Sequence, residues 1–112
     1  MELSGIMELQ DSFDRDHSGR FDWSVRVTQD NLDVLAFLAL GICGEAGELA
    51  NIVKRVVRGD DSLRGARHEI EEEVADIFIY LVKTCNQMEI DLEEAYLNKL
   101  ERNRSRFKRY ER

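Results

Sequence analysis

The chain has 112 residues, about one small domain, which excludes a multidomain enzyme or an array of large repeats. Hydrophobic residues make up 43% and charged residues 35%, with seven glycines and no proline, a balance that supports a core and favours long solvated helices over a turn-rich β-sandwich. The formal net charge of −7 argues against nucleic-acid or anionic-membrane binding.

The first helix is predicted over Leu3 to Asp14, with Ile6, Leu9 and Phe13 at helical spacing. This N-terminal stretch has neither an apolar h-region nor a basic n-region, so no signal peptide is expected. Residues 15–25 read as a loop around Ser18 and Gly19, carrying His17 and Trp23. The second helix starts near Thr28 or Asp30, both good N-caps, and runs to Arg58, where Gly59 supplies the stop. Its apolar stripe is Leu38, Ile42, Leu49, Ile52 and Val56.

A short connection over residues 59–62 leads to a third helix from Ser62 to Met88, with Ile70, Val74, Ile77, Leu81, Cys85 and Met88 as its buried stripe. The fourth helix opens on Asp91-Leu92-Glu93-Glu94, a start like a capping box, and continues to Phe107. No run reaches about 18 apolar residues, so no membrane span is expected. Short connections make neighbouring helices antiparallel, so the expected fold is all-α: one domain over residues 1–112, an antiparallel bundle of about four helices. A helical chain this small buries little of its surface, and a homo-oligomer is expected. Cys43 and Cys85 lack zinc-site spacing and read as buried, reduced thiols of a cytoplasmic protein.

Charge is unevenly spread. Residues 99–112 hold seven basic side chains against two acidic ones, a tail of +5 that leaves −12 for the remainder. Within that acidic body, Glu45 and Glu48 lie three apart on the second helix, and Glu73 and Asp76 three apart on the third. Each pair occupies one helix face. Other acid pairs share this spacing (Asp11 and Asp14, Asp30 and Asp33, Asp91 and Glu94), but these two border the longest apolar stripes, where an uncompensated charge is costly. Packed antiparallel, both helices can turn their acids to one crevice. Four carboxylates held close repel one another unless a cation intervenes, and hard oxygen ligands suit Mg²⁺, with Mn²⁺ as a substitute, better than zinc. Gly41, Gly44 and Gly47 recur beside the first pair. Each costs up to about 1 kcal/mol relative to Ala in a helix, which points to close approach of a ligand or of a neighbouring helix.

The run GEAGELANIVKRVVRG at residues 44–59, followed by EEEVADIFIYLV at 71–82, resembles the MazG-like all-α nucleoside triphosphate pyrophosphohydrolases. The family pattern is E-x-x-E on one helix and E-x-x-D on the next, here Glu45, Glu48, Glu73 and Asp76. The resemblance continues through residues 90–107, where Lys99, Asn103 and Arg106 match a K-x-x-x-N-x-x-R run. It covers about Leu35 to Phe107. It implies Mg²⁺-dependent cleavage of a nucleoside triphosphate between the α and β phosphates, giving a nucleoside monophosphate and pyrophosphate in nucleotide-pool housecleaning. It also implies homodimers or homotetramers with sites near subunit interfaces.

On this reading the four carboxylates are the metal-holding, catalytic set. Asn51, Lys54, Arg55 and Arg58 lie beyond Glu48 in a run that is also basic in relatives; they hold phosphates or simply complement the helix C-terminus. Lys99, Asn103 and Arg106 share one face of the fourth helix and form a second phosphate-holding set. Glu72 is a base acting from beside Glu73, or a solvated charge. Trp23 stacks on a base or, the preferred reading, anchors its loop. His17 and His68 read as solvated.

Two departures bear on specificity. Some branches carry a further Glu where this chain has Gly44, so a base there cannot be carried over. The deoxycytidine-triphosphate-preferring branch places a Trp where this chain has Ile52-Val53-Lys54-Arg55, which leaves the base preference open. The alternative function is a non-catalytic helical oligomeric interaction module. A di-iron carboxylate bundle would need Glu-x-x-His on two helices, and neither histidine follows a Glu at that spacing.

Overall fold

A computed structural model describes residues 1–112. It contains four α-helices and no strand: α1 Leu3–Asp16, α2 Leu32–Arg58, α3 Leu63–Met88 and α4 Leu92–Arg106, with short 3-10 turns at Gln29–Asn31 and Lys108–Tyr110.

The helix ends follow from local chemistry. Before α2, Thr28 and Asn31 form a capping box: the Thr28 hydroxyl accepts from the Asp30 N–H at 3.2 Å, and the Asn31 side chain accepts from the Thr28 N–H. Gly59 ends α2 at φ 85°, a left-handed position that glycine takes without steric cost, and its N–H donates to the carbonyls of Arg55 and Val56. Ser62 caps α3 by accepting from the Gly65 N–H at 2.9 Å. Asp91 caps α4 by accepting from the Glu94 N–H at 3.1 Å.

Helices α2 and α3 pack along each other, and α1 packs on α3. The centre is built from Val34, Leu38 and Ile52 of α2 with Ala66, Val82 and Cys85 of α3. Helix α4 has no extended packing partner apart from the turn that follows it. The expected four-helix bundle is therefore not closed within one chain. The radius of gyration is 17.2 Å, against about 13 Å for a compact chain of about 100 residues.

Three further expectations are corrected. Leu9 and Phe13, at helical spacing with Ile6, are exposed; α1 turns Leu3, Ile6, Met7 and Gln10 inward instead, with Asp14 buried and paired with Lys83 of α3. On α3, Val74 and Leu81 are exposed while Ala66, Val82 and Gln87 are buried, so the stripe expected to be buried is split between the core and an open apolar face. Cys43 is exposed; only Cys85 is buried. No helix is long and apolar enough to cross a membrane.

The segment between α1 and α2 is tied to α3 at its far end. The Val27 N–H donates to the Gln87 carbonyl at 2.8 Å, and Gln87 Nε2 donates to the Val25 carbonyl at 2.9 Å. Asn86 Nδ2 donates to the Met7 carbonyl at 3.0 Å and joins α1 to the same helix end.

Candidate functional site

The antiparallel register of α2 and α3 sets what faces what. Tyr80 lies against Gly41, and Arg55 pairs with both carboxylate oxygens of Glu69 at 3.0 and 3.1 Å. Between these two points the register brings Glu45 opposite Glu73 and Asp76. Their carboxylate oxygens lie within 4.8 Å of one another. Glu48 stands one turn beyond Glu45, exposed, outside this closest group.

Electrostatics mark Glu73 within the cluster. Its carboxyl is pushed up to about 7, chiefly by hydrogen bonding with the Glu45 carboxyl, then by burial and by the negative charges of Glu45, Asp76 and Glu48. Glu48 thus acts on Glu73 electrostatically although it stands outside the tightest group. Glu73 Oε2 is buried without a hydrogen-bond partner. A carboxylate oxygen left in that state is costly unless a proton or cation meets it. Oxygen donors alone, in acidic surroundings, fit a hard divalent ion such as Mg²⁺ or Mn²⁺.

The remaining predicted residues are not gathered at the acids by one chain. Asn51 and Lys54 are exposed further along α2. Arg58 is engaged by Asp60 at 3.0 Å at the end of the helix, and Arg55 by Glu69. Lys99 and Arg106 are exposed and Asn103 partly buried on α4, which is not packed along α2 or α3. The Arg106 guanidinium lies over the Phe107 ring at 5.0 Å. Glu72 pairs with His68 at 3.0 Å on the solvent side of α3, and His17 stacks on Phe13.

Of the three glycines, only Gly41 meets a close neighbour: a β-carbon there would overlap the Tyr80 ring. Gly44 and Gly47 face open space, so close approach within the chain does not explain them.

Trp23 is singled out from the sequence, but its partners Tyr80 and Lys83, next to the acids, are not. Asp76, Tyr80 and Lys83 follow one another on one face of α3 at i, i+4 and i+7. Trp23 meets Tyr80 edge-on at 5.7 Å between ring centroids and touches Phe21 at 4.6 Å. Lys83 Nζ lies 4.6 Å from the Trp23 ring centroid and 3.2 Å from Asp14 Oδ1. The sequence signal that could have found this cluster is Lys83 at helical spacing from Asp76 and Tyr80.

Residues 35–109 match the MazG nucleotide pyrophosphohydrolase domain. The chain is 32% identical over 82 residues to Gene 37 protein of Mycobacterium phage L5, covering 69% of this chain and 72% of that protein. It is 35% identical over 74 residues to human dCTP pyrophosphatase 1, covering 62% of this chain and 44% of that protein, and 31% identical over the same length to its rat counterpart. The chain therefore spans less than half the length of these mammalian relatives. No solved structure matches it. The matched span takes in all but the first turn of α2, and α3 and α4, with all four acids, and the chain belongs to the MazG nucleotide pyrophosphohydrolase family.

Proposed function

We propose that this nucleotide pyrophosphohydrolase cleaves a nucleoside triphosphate between the α and β phosphates in a Mg²⁺-dependent reaction, releasing a nucleoside monophosphate and pyrophosphate. The observation that carries the proposal is the meeting of Glu45, Glu73 and Asp76 within 4.8 Å, with Glu73 Oε2 buried and unpartnered, inside the span that matches the family. Glu45, Glu48, Glu73 and Asp76 hold the ion. Bound there, Mg²⁺ supplies charge neutralisation for the polyphosphate and a lower pKa for a coordinated water.

The chain's own side chains then bind and orient. Asn51, Lys54 and Arg58 offer donors to phosphate oxygens from the end of α2, with Arg58 exchanging Asp60 for substrate. Lys99, Asn103 and Arg106 reach the acids only from another copy or after α4 folds back. The open apolar faces favour the former: Phe37, Leu40, Val53 and Val57 of α2 and Val74, Phe78 and Leu81 of α3 are all exposed in the single chain. The assembly proposed is a homodimer or homotetramer of single-domain chains, with residues 1–34 part of the same unit as the matched region. Nucleotide-pool housecleaning in the cytoplasm is the accompanying role.

The deciding experiment is pyrophosphate release from a panel of standard and modified nucleoside triphosphates, dCTP among them, with Mg²⁺ and then with EDTA. EDTA-sensitive release from at least one is expected. No release from any would overturn the reading and leave the non-catalytic interaction module.

A further inference from the structure

Trp23 is the only tryptophan of the chain, and it lies in the segment between α1 and α2, against α3. Its loop hangs on main-chain and side-chain bonds at Gln87, several residues away. The indole itself packs on Phe21 and Tyr80, and the one charged group over its ring is Lys83. The ammonium lies 4.6 Å from the Trp23 ring centroid and 5.7 Å from that of Tyr80, and Asp14 Oδ1 holds it at 3.2 Å. The lysine side chain is 12% exposed and the aspartate side chain 2%, so the pair is shielded from water. Gln10 Nε2 donates to the same Asp14 oxygen at 3.0 Å. A cation over an indole counts for most when desolvated in this way.

The position of this clamp gives it a role. Lys83 stands seven residues beyond Asp76 on the same face of α3, about 10 Å along the helix. Tyr80 bridges the interval and rests on Gly41, one turn before Glu45. The helix face that carries Asp76 thus runs on through Tyr80 to Lys83 and the Trp23 indole.

Resting on the pyrophosphohydrolase reading, we propose that Lys83 is a positioning residue for nucleotide binding: held by Asp14, it fixes the Trp23 indole as a wall at the far end of the α3 face that begins at Asp76. Lys83 takes no part in bond cleavage. It acts through the indole.

Removing Lys83 alone leaves Asp14 buried and uncompensated and risks the fold. The informative variant is the double Asp14→Leu/Lys83→Met, which removes both charges and keeps apolar bulk; Lys83→Arg is the conservative rescue. Two readouts apply, acrylamide quenching of Trp23 fluorescence without nucleotide, and steady-state kinetics on the preferred triphosphate. In the double variant the indole is expected to become more accessible, KM to rise about tenfold and kcat to stay within about twofold, with Lys83→Arg close to wild type. An unchanged KM overturns the proposal, whether or not quenching changes, and so does a kcat loss without a KM change. A wild-type chain that hydrolyses no nucleotide overturns the pyrophosphohydrolase reading instead, and unaltered quenching in the double variant independently overturns the clamp.

Discussion

The ring of Tyr80 on α3 sits so close to the backbone of Gly41 on α2 that any β-carbon at position 41 would overlap it. This contact sets the spacing of the two helices one turn from Glu45. Gly41→Ala gains up to about 1 kcal/mol in helix propensity, but forcing the helices apart costs about 1–3 kcal/mol. A net loss of about 1 kcal/mol is expected, read as a lower urea midpoint with an unchanged slope. A midpoint equal to or above wild type would show that Tyr80 swings aside freely.

The raised carboxyl of Glu73 makes stability depend on pH in the metal-free protein. Its ordinary value is 4.5 and its folded value about 7. Between these limits the folded chain binds more protons than the unfolded one, so stability falls as pH rises from about 4.5 to about 7 and the loss is complete above. Thermal melts in EDTA should therefore show a lower Tm at pH 8 than at pH 5.5, and Glu73→Gln should flatten that difference. Millimolar Mg²⁺ should raise the Tm at pH 8 far more than at pH 5.5, because ionised carboxylates bind it and protonated ones do not. Equal melting at both pH values, with and without Mg²⁺, would remove Glu73 from the ligand set.

Much of this architecture was legible because helix signals are local. The capping residues Ser62 and Asp91, the Gly59 stop and the Leu38–Ile52 stripe all act within a turn or two of themselves. The pairing of Glu45 with Glu73 and Asp76 was legible for a related reason: a short connection forces α2 and α3 antiparallel, which fixes the register. What the sequence hid is non-local. Asp14 reads as a helix-surface acid until Lys83 arrives from α3 to pair with it. Val74 and Leu81 carry the same period as buried residues, and nothing local to them says that no other element of the chain covers them. The placement of α4 was lost for a like reason: periodicity names a face but not the element that will cover it.

Removing single carboxylates should separate catalysis from folding. Glu48→Gln and Asp76→Asn each withdraw a negative charge from a repelling cluster, so the apo protein should melt no lower than wild type. Turnover should fall by about 100-fold or more, since metal-borne stabilisation of the transition state amounts to several kcal/mol and each 1.36 kcal/mol is about tenfold. Glu48 is the sharper test, because it lies outside the closest group of acids. Full activity in Glu48→Gln would confine the site to Glu45, Glu73 and Asp76.

The detachment of α4 from α2 and α3 in one chain makes a prediction about where its basic face acts. If Lys99, Asn103 and Arg106 serve the carboxylates of another copy, each complete site draws on two chains. Arg106→Ala and Asp76→Asn should then both be inactive as pure proteins, one lacking the phosphate donor and the other a metal ligand. Mixed, unfolded together and refolded, they should recover activity that neither has alone, because some hybrid assemblies pair an intact acid cluster with an intact α4. Light scattering should show both parents in the same oligomeric state as wild type, which separates lost chemistry from lost assembly. A mixture as inactive as its parents would instead mean that α4 folds back onto its own α2 and α3, and the +5 tail would then serve the acids of its own chain.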